Sequence, residues 1–443
     1  KTVLASWNQQ NDSDIALGWA DHCANLYKKS VLYADSTAER KKLLSICKKR
    51  LNIHWSRAYL KRVGENATQR QVIRNISNTR FEERVFKEKK QHVSILGGGI
   101  QGCSMALLFH KHGYDVTIID NSTDIMNRAS MNQEGKIHMG FVYSNDPSLK
   151  TGEYMMRSAL TFGTYMEYLL DETVDWATLK STRFQYLVPH DSLLSPDELE
   201  VYFSKLQGIY EDIIRAEPHL SYLGERPSQI YKRIPLPPHV NQTYFAGCFE
   251  TEEYAISQTA FRDYVKKAIM KKGIRVVLNH FVTGVHTETD PSAYTVTTDK
   301  GSFQFDVVVN CLWEGRRDVD RTVGLPDWSG NNARLKFGVK TGYIDELRDV
   351  PSVTIVNGPF GDFVNYPRDK RMYFSWYPVS ILGMIVDQPL PEEWKAIANG
   401  DIAHDMATYQ IQQHLLKFQE LFPVKAFQFN CPKLVGGIVI ASG

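Results

Sequence analysis

Cysteine is scarce in this chain and never closely paired. The six cysteines among 443 residues (Cys23, Cys47, Cys103, Cys248, Cys311 and Cys431) show no CxxC spacing and no cluster with histidine. That pattern excludes a zinc site and a disulfide-stapled scaffold. It fits a reducing compartment, so a cytoplasmic protein with no metal is expected. Long apolar runs are missing too: no uninterrupted run of 18 or more apolar residues occurs, so nothing is expected to span a membrane. The opening "KTVLASWNQQNDSD" lacks the apolar core of a secretory signal. Neither an internal repeat nor a low-complexity tract is present. What is there, 43% hydrophobic and 12% aromatic residues, is too apolar for disorder and long enough for a sizeable core.

Charge is unevenly spread. The net +2 conceals 19 Lys and Arg against 9 Asp and Glu in residues 1–90, leaving 33 against 41 in the rest. A basic front on an acidic body predicts a separate unit with its own surface, either docking on that body or meeting a protein or nucleic-acid partner. Within it, residues 15–33 and 37–63 read as helices, the second with Ser36 and Glu39 spaced as a capping box.

At His92 the pattern changes. "HVSILGGGIQGCSMALLFHKHGYDVTIID" (residues 92–120) reads as strand, glycine turn, helix and second strand, the start of a βαβ unit. Gly97, Gly99 and Gly102 form G-x-G-x-x-G between strand and helix. Gly97 permits the tight turn, Gly99 lets backbone approach a pyrophosphate, and Gly102 lets the helix pack closely on the sheet. The helix N-terminus at Ile100 and Gln101 offers N–H donors to phosphate. Asp120 ends the second strand, where a carboxylate accepts ribose hydroxyls and disfavours a 2′-phosphate. Helices are expected over 150–172, from near Ser195, over 258–272 and over 391–421. Strands are expected at "GIRVVLN", "AYTVTTDKG", "DVVVNCLW" and "LVGGIVIASG", with a strand-rich region from Arg334 to Ile385.

These residues, with "NSTDIMNRASMNQEGKIHMGF" after Asp120, resemble the D-amino-acid-oxidase-like family of FAD-dependent oxidoreductases, the glycine and sarcosine oxidase-like group. The resemblance runs over about residues 91 to 443. It implies FAD, held by Asn121 beside Asp120 and by a loop of Arg128, Ala129, Ser130, Asn132, Gln133 and Gly135 around the pyrophosphate and ribityl chain. Val282 would lie against the adenine. The strand ending at Asn310-Cys311-Leu312-Trp313 would finish beside the cofactor, with Cys311 in contact, although relatives often carry Ala-x-Gly there. Gly436 and Gly437 would complete the flavin site on a last strand. Three separated contributions suit an extended FAD better than NAD. The chain opens at Lys1 without Met and stops soon after that strand, so both ends are expected to fall short of the natural ones.

The resemblance implies an α/β fold. A Rossmann-like FAD-binding domain (91–180, 245–330 and 431–443) would carry an α+β substrate domain with an antiparallel sheet (181–244 and 331–430), preceded by a basic helical region (1–90). Candidate catalytic residues are His138, soon after the cofactor loop, and Tyr366, Arg371 and Tyr373 in "GPFGDFVNYPRDKRMYFSWYPVS". Trp376, Tyr377, Arg316 and Arg317 are further candidates. A histidine can move a proton, and an arginine can clamp a substrate carboxylate with two hydrogen bonds. The expected activity is hydride transfer from a small amine, amino acid or hydroxy acid to flavin N5. A non-catalytic flavin-bearing scaffold, a flavin enzyme on a modified tRNA base and an NAD-linked enzyme stay open.

Overall fold

A computed structural model describes residues 91–287, 293–325, 331–423 and 426–442. The basic stretch 1–90, with its two expected helices, lies outside the described residues.

The first sheet is parallel. His92–Leu96 lies between Val307–Asn310 and Asp115–Ile119, and Arg275–Val277 pairs with the outer side of Asp115–Ile119. Alternate residues bury opposite faces, as a sheet covered on both sides requires. Val93, Ile95, Val116, Ile118 and Val309 join the core formed with helices Ile100–Lys111, Lys150–Leu170 and Gln258–Lys271. Leu96, Ile119 and Val308 face a second core, made with the antiparallel strands Val282–Thr287, Tyr294–Thr298 and Gly301–Phe305. Register aligns the ends of these strands. Leu96 pairs with both Ile119 and Asn310, so the next residues, Gly97, Asp120 and Cys311, emerge side by side at one edge.

The second sheet has nine strands and is largely antiparallel. At its centre Arg371–Trp376 pairs with Gly361–Tyr366 on one side and Asn331–Gly342 on the other, while Ser352–Ile355 runs parallel to Phe184–Pro189. Helix His404–Leu421 packs on one face, putting Phe418 and Leu421 against Phe363 and Phe374. The other face, with Tyr186, Val364, Tyr366 and Tyr373, turns toward the first unit and helix Pro196–Ala216. That helix starts on a capping box: Glu198 N–H donates to Ser195 Oγ, and Ser195 N–H donates to the Glu198 carboxylate. The helix expected over 391–421 divides into Glu392–Ala398 and His404–Leu421.

Backbone pairing divides the chain differently from the expected boundaries at two places. Phe245–Thr251 and Lys433–Ser442, expected within the FAD-binding domain, both pair in the nine-stranded sheet. Lys433–Ser442 forms an unbroken antiparallel ladder along Asn331–Lys340, which satisfies its backbone better than a short parallel edge. It still reaches the first unit, because Trp313 Nε1–H donates to the Ile438 carbonyl at 2.6 Å.

Candidate active site

Geometry at the shared edge dictates the glycines. Gly97 has φ +94°, and a Cβ there would lie 2.7 Å from the Cys311 carbonyl oxygen. A Cβ on Gly102 would come within 1.8 Å of the Gly97 carbonyl oxygen, so helix and turn can meet only without one. Over Gly99, by contrast, a Cβ would meet nothing nearer than Ser130 Oγ at 3.4 Å. That open ground lies at the N-terminus of a 12-residue helix with no acidic side chain in its first turn. Such a terminus carries N–H donors and partial positive charge, which suits a pyrophosphate.

Asp120 closes the turn. Its Oδ2 accepts Gly98 N–H at 2.6 Å and its Oδ1 accepts Ser122 N–H at 2.7 Å. Each oxygen keeps a further lone pair for a ribose hydroxyl. Ser130 Oγ accepts Ile100 N–H at 2.9 Å, tying the loop beyond Asp120 to the helix. Arg128 pairs with Glu314. Asn121, Arg128, Asn132 and Gly436 line a cleft of about 370 Å³ that is also walled by Phe337 and Ile402. The residues present therefore fit an extended dinucleotide. Gln101 lies in the first helical turn, Ala129 is exposed on the loop, and Val282 is buried in the core beneath. Cys311 donates its N–H to the Leu96 carbonyl. Gly437 is not among the cleft residues.

Beyond the cleft, the loop turns back under a polar network. Gly135 has φ +81°, and a Cβ there would run into Gln258 and the Ile256 carbonyl. Gln133 Oε1 accepts Gly135 N–H at 2.5 Å, and Tyr366 OH donates to the Glu134 carbonyl. Arg371 donates to Gln258 Oε1 at 2.7 Å, pairs with Asp369 at 2.9 Å and stacks on Tyr366. Tyr366, expected on a substrate wall, thus bonds the loop after Asp120, and Arg371, expected there too, bonds helix Gln258–Lys271 beside it. Arg316, expected as a weaker candidate, pairs with Asp320 on its own helix, which Arg317 shares. Trp376 points away from the loop altogether, into the core under helix His404–Leu421. Strand parity explains it: three residues from Tyr373 is the opposite face.

The structure adds charged residues that sequence reasoning did not single out. Tyr186, Thr354 and Asp362 stand in one row across three neighbouring strands. Above that row lies Lys136, its side chain fully buried. Its ammonium bonds Thr354 and Tyr186, the latter at 3.0 Å, pairs with Glu253 at 3.1 Å and lies 3.8 Å from Asp362. Glu253 also accepts Met139 N–H at 2.6 Å and the Tyr186 hydroxyl. His138 follows the short strand Lys136–Ile137, its Nδ1 3.8 Å from Glu253 and its ring edge-on to Tyr143. Burial pushes the imidazole below its usual pKa and Lys136 adds to that, against the pull of Glu253.

Around His138, burial and the Glu253 carboxylate push the Tyr143 hydroxyl up to about 12. Burial works against the Glu134 carboxylate, but the Lys336 ammonium, a backbone hydrogen bond and the charges of His138 and Lys136 together outweigh it and hold that group below its usual range. Lys336 stacks on Tyr377, whose hydroxyl sits 3.5 Å from Asp362. Tyr373 is buried against Gly338. Burial, followed by Arg371, brings the Lys340 ammonium down to about 7. An imidazole, hydroxyls and a cation therefore converge beside the loop that follows Asp120. Nothing in the local sequence marked Lys136, Glu253 and Asp362; the signal was the strand alternation that puts Asp362 and Tyr366 on one face.

Among the described residues no group of His, Cys, Asp and Glu could hold a metal, and no helix is long and apolar enough to cross a membrane. Residues 92–325 match the family model described as FAD dependent oxidoreductase. Over 220 residues the chain is 23% identical to a glycerol 3-phosphate dehydrogenase of Caloramator mitchellensis, covering 49% of this chain and 41% of that one. It thus spans about two fifths of the length of the curated relative it matches. Among solved structures it resembles glycine oxidase from Geobacillus kaustophilus (TM-score 0.54, 15% identity, 80% of this chain and 84% of that one). It also resembles an L-amino acid deaminase from Proteus myxofaciens (TM-score 0.53, 15% identity, 80% and 81%).

Proposed function

Because the chain belongs to the FAD dependent oxidoreductase family, we propose that it oxidises a small amine, amino acid or hydroxy acid at a C–N or C–OH bond. Bound FAD supplies the hydride acceptor, its N5 atom. Gly97, Gly99, Ile100, Gln101, Gly102 and Asp120 hold the pyrophosphate and ribose end. Asn121, Arg128, Ala129, Ser130, Asn132, Gln133 and Gly135 form the covering loop, and Gly436 closes it from the nine-stranded sheet.

The observation that carries the reading is His138. It lies just past the loop that follows Asp120, has its pKa lowered by burial, and is ringed by Tyr143, Glu134 and the buried Lys136 and Glu253. A neutral imidazole there accepts the proton that leaves the substrate N–H or O–H as hydride departs from carbon. Lys336, rather than Arg371, is the cation placed to meet a substrate carboxylate, with Tyr377 beneath it. The expected cytoplasmic location stands on the cysteine pattern.

Anaerobic mixing tests this. Protein loaded with FAD is bleached by at least one member of a panel of amines, amino acids and hydroxy acids. No bleaching by any of them would favour the flavin-bearing scaffold instead.

A further inference from the structure

Two charges sit fully buried directly below His138, and the cofactor cradle makes no use of them. The Lys136 and Glu253 side chains have no exposed surface and pair at 3.1 Å. Burying such a pair is costly unless each partner is fully bonded. Here each is: Lys136 also bonds Tyr186 and Thr354, and Glu253 also takes Met139 N–H and the Tyr186 hydroxyl. An apolar pair would pack as well, so the arrangement points to a use.

His138 shows what that use is. Its Nδ1 is buried and has no hydrogen-bond partner, yet Glu253 Oε1 lies 3.8 Å away. That distance is too long for a hydrogen bond and short enough to become one with a small ring movement. Glu253 is fixed by three other bonds, so the histidine is the partner that moves.

We propose that Lys136 and Glu253 are positioning residues for His138. Glu253 holds the hydrogen on Nδ1, which leaves Nε2 to receive the substrate proton, and Lys136 keeps Glu253 from holding the ring in its charged form. In the step, the substrate N–H or O–H bond breaks, its proton forms a bond to Nε2, and the Nδ1 hydrogen stays in place. Charged and titratable groups facing His138 come from several neighbouring elements: Glu134 and Lys136 from the segment just before it, Tyr143 after it, Glu253 from the turn between Phe245–Thr251 and Tyr254–Ala255, and Asp362 from the nine-stranded sheet. Among the described residues facing His138, Lys136 is the cation that lowers its pKa. The proposal rests on the reading of His138 as proton acceptor.

Histidine NMR of the full chain tests it without turnover, with His138→Gln identifying the resonance. In Lys136→Met the His138 titration midpoint is expected to move to higher pH, and in Glu253→Gln to lower pH with the Nδ1–H tautomer depleted. The charge-balanced Lys136→Met/Glu253→Gln variant guards against misfolding of either single change, and its midpoint falls between the two. A midpoint and tautomer unchanged in all three variants would overturn the proposal. The kcat pH profile then separates the two claims. If it tracks the NMR midpoints, both hold. If it ignores them while the midpoints move, positioning stands and His138 is not the proton acceptor.

Discussion

Ser130 Oγ accepts the N–H of Ile100 at 2.9 Å across 30 residues of chain. One hydrogen bond thus fastens the loop to the helix terminus proposed to meet a pyrophosphate. Ser130→Ala removes it, and a bond of this kind contributes about 1 kcal/mol, so FAD affinity is expected to fall about five-fold. Fluorescence titration of apoprotein with FAD measures this, and an unchanged affinity would show the loop held by other contacts.

Gly99 and Gly102 should behave differently although both belong to one motif. A Cβ at 99 meets only Ser130 Oγ, at 3.4 Å, so Gly99→Val should fold while its side chain fills the ground proposed for the pyrophosphate. Alanine at 102 would put its Cβ 1.8 Å from backbone, so Gly102→Ala should lose stability whether or not FAD is added. Circular dichroism beside FAD content separates the two. A Gly99→Val protein that keeps its FAD would contradict the cradle.

Arg371 was expected to clamp substrate and instead bonds Gln258 and Asp369. Arg371→Met is expected to lower stability by about 2 kcal/mol, because hydrogen bonds to charged groups are lost in a half-buried place. KM for carboxylate substrates should stay as it was, whereas Lys336→Met should raise it. A KM that rises for Arg371→Met with unchanged denaturation would return Arg371 to the substrate wall.

Acid should weaken the nine-stranded sheet through His414. The ring is buried, its Nδ1–H donating to the Gln410 carbonyl at 2.7 Å and its Nε2 accepting from Ser380 at 3.0 Å. Burial lowers its pKa from 6.5 to about 4. Between these values the unfolded chain binds a proton that the folded chain refuses, so stability is complete above about 6.5 and falls as pH drops toward 4. The loss amounts to about 3 kcal/mol. His414→Gln should flatten that part of a denaturation-against-pH curve. An identical slope in the variant would assign the effect to other groups.

The cofactor side of the site could be read in the sequence because its pieces are local. Strand, glycines, helix and Asp120 lie within 30 residues, and each answers a short-range demand of backbone geometry. The surroundings of His138 could not, although His138 itself was a candidate. Tyr186, Thr354 and Asp362 become a row only through register between strands far apart in the chain, and Lys136 and Glu253 join them by tertiary approach. The aromatic run after Arg371 carried a usable hint, since alternation alone sets Tyr373 and Trp376 on opposite faces. The last strand was correctly read as a strand, but its partner depended on ten residues of pairing with Asn331–Lys340.

The central claim is that the edge built from Gly97, Gly99, Asp120 and Ser130 holds FAD. The absorption spectrum of the purified protein, together with release and quantification of nucleotide, tests this most directly. The expected result is the two bands of an oxidised flavin and one FAD released per chain. A colourless protein that takes up no FAD when it is supplied, or one that binds NAD in its place, would contradict it.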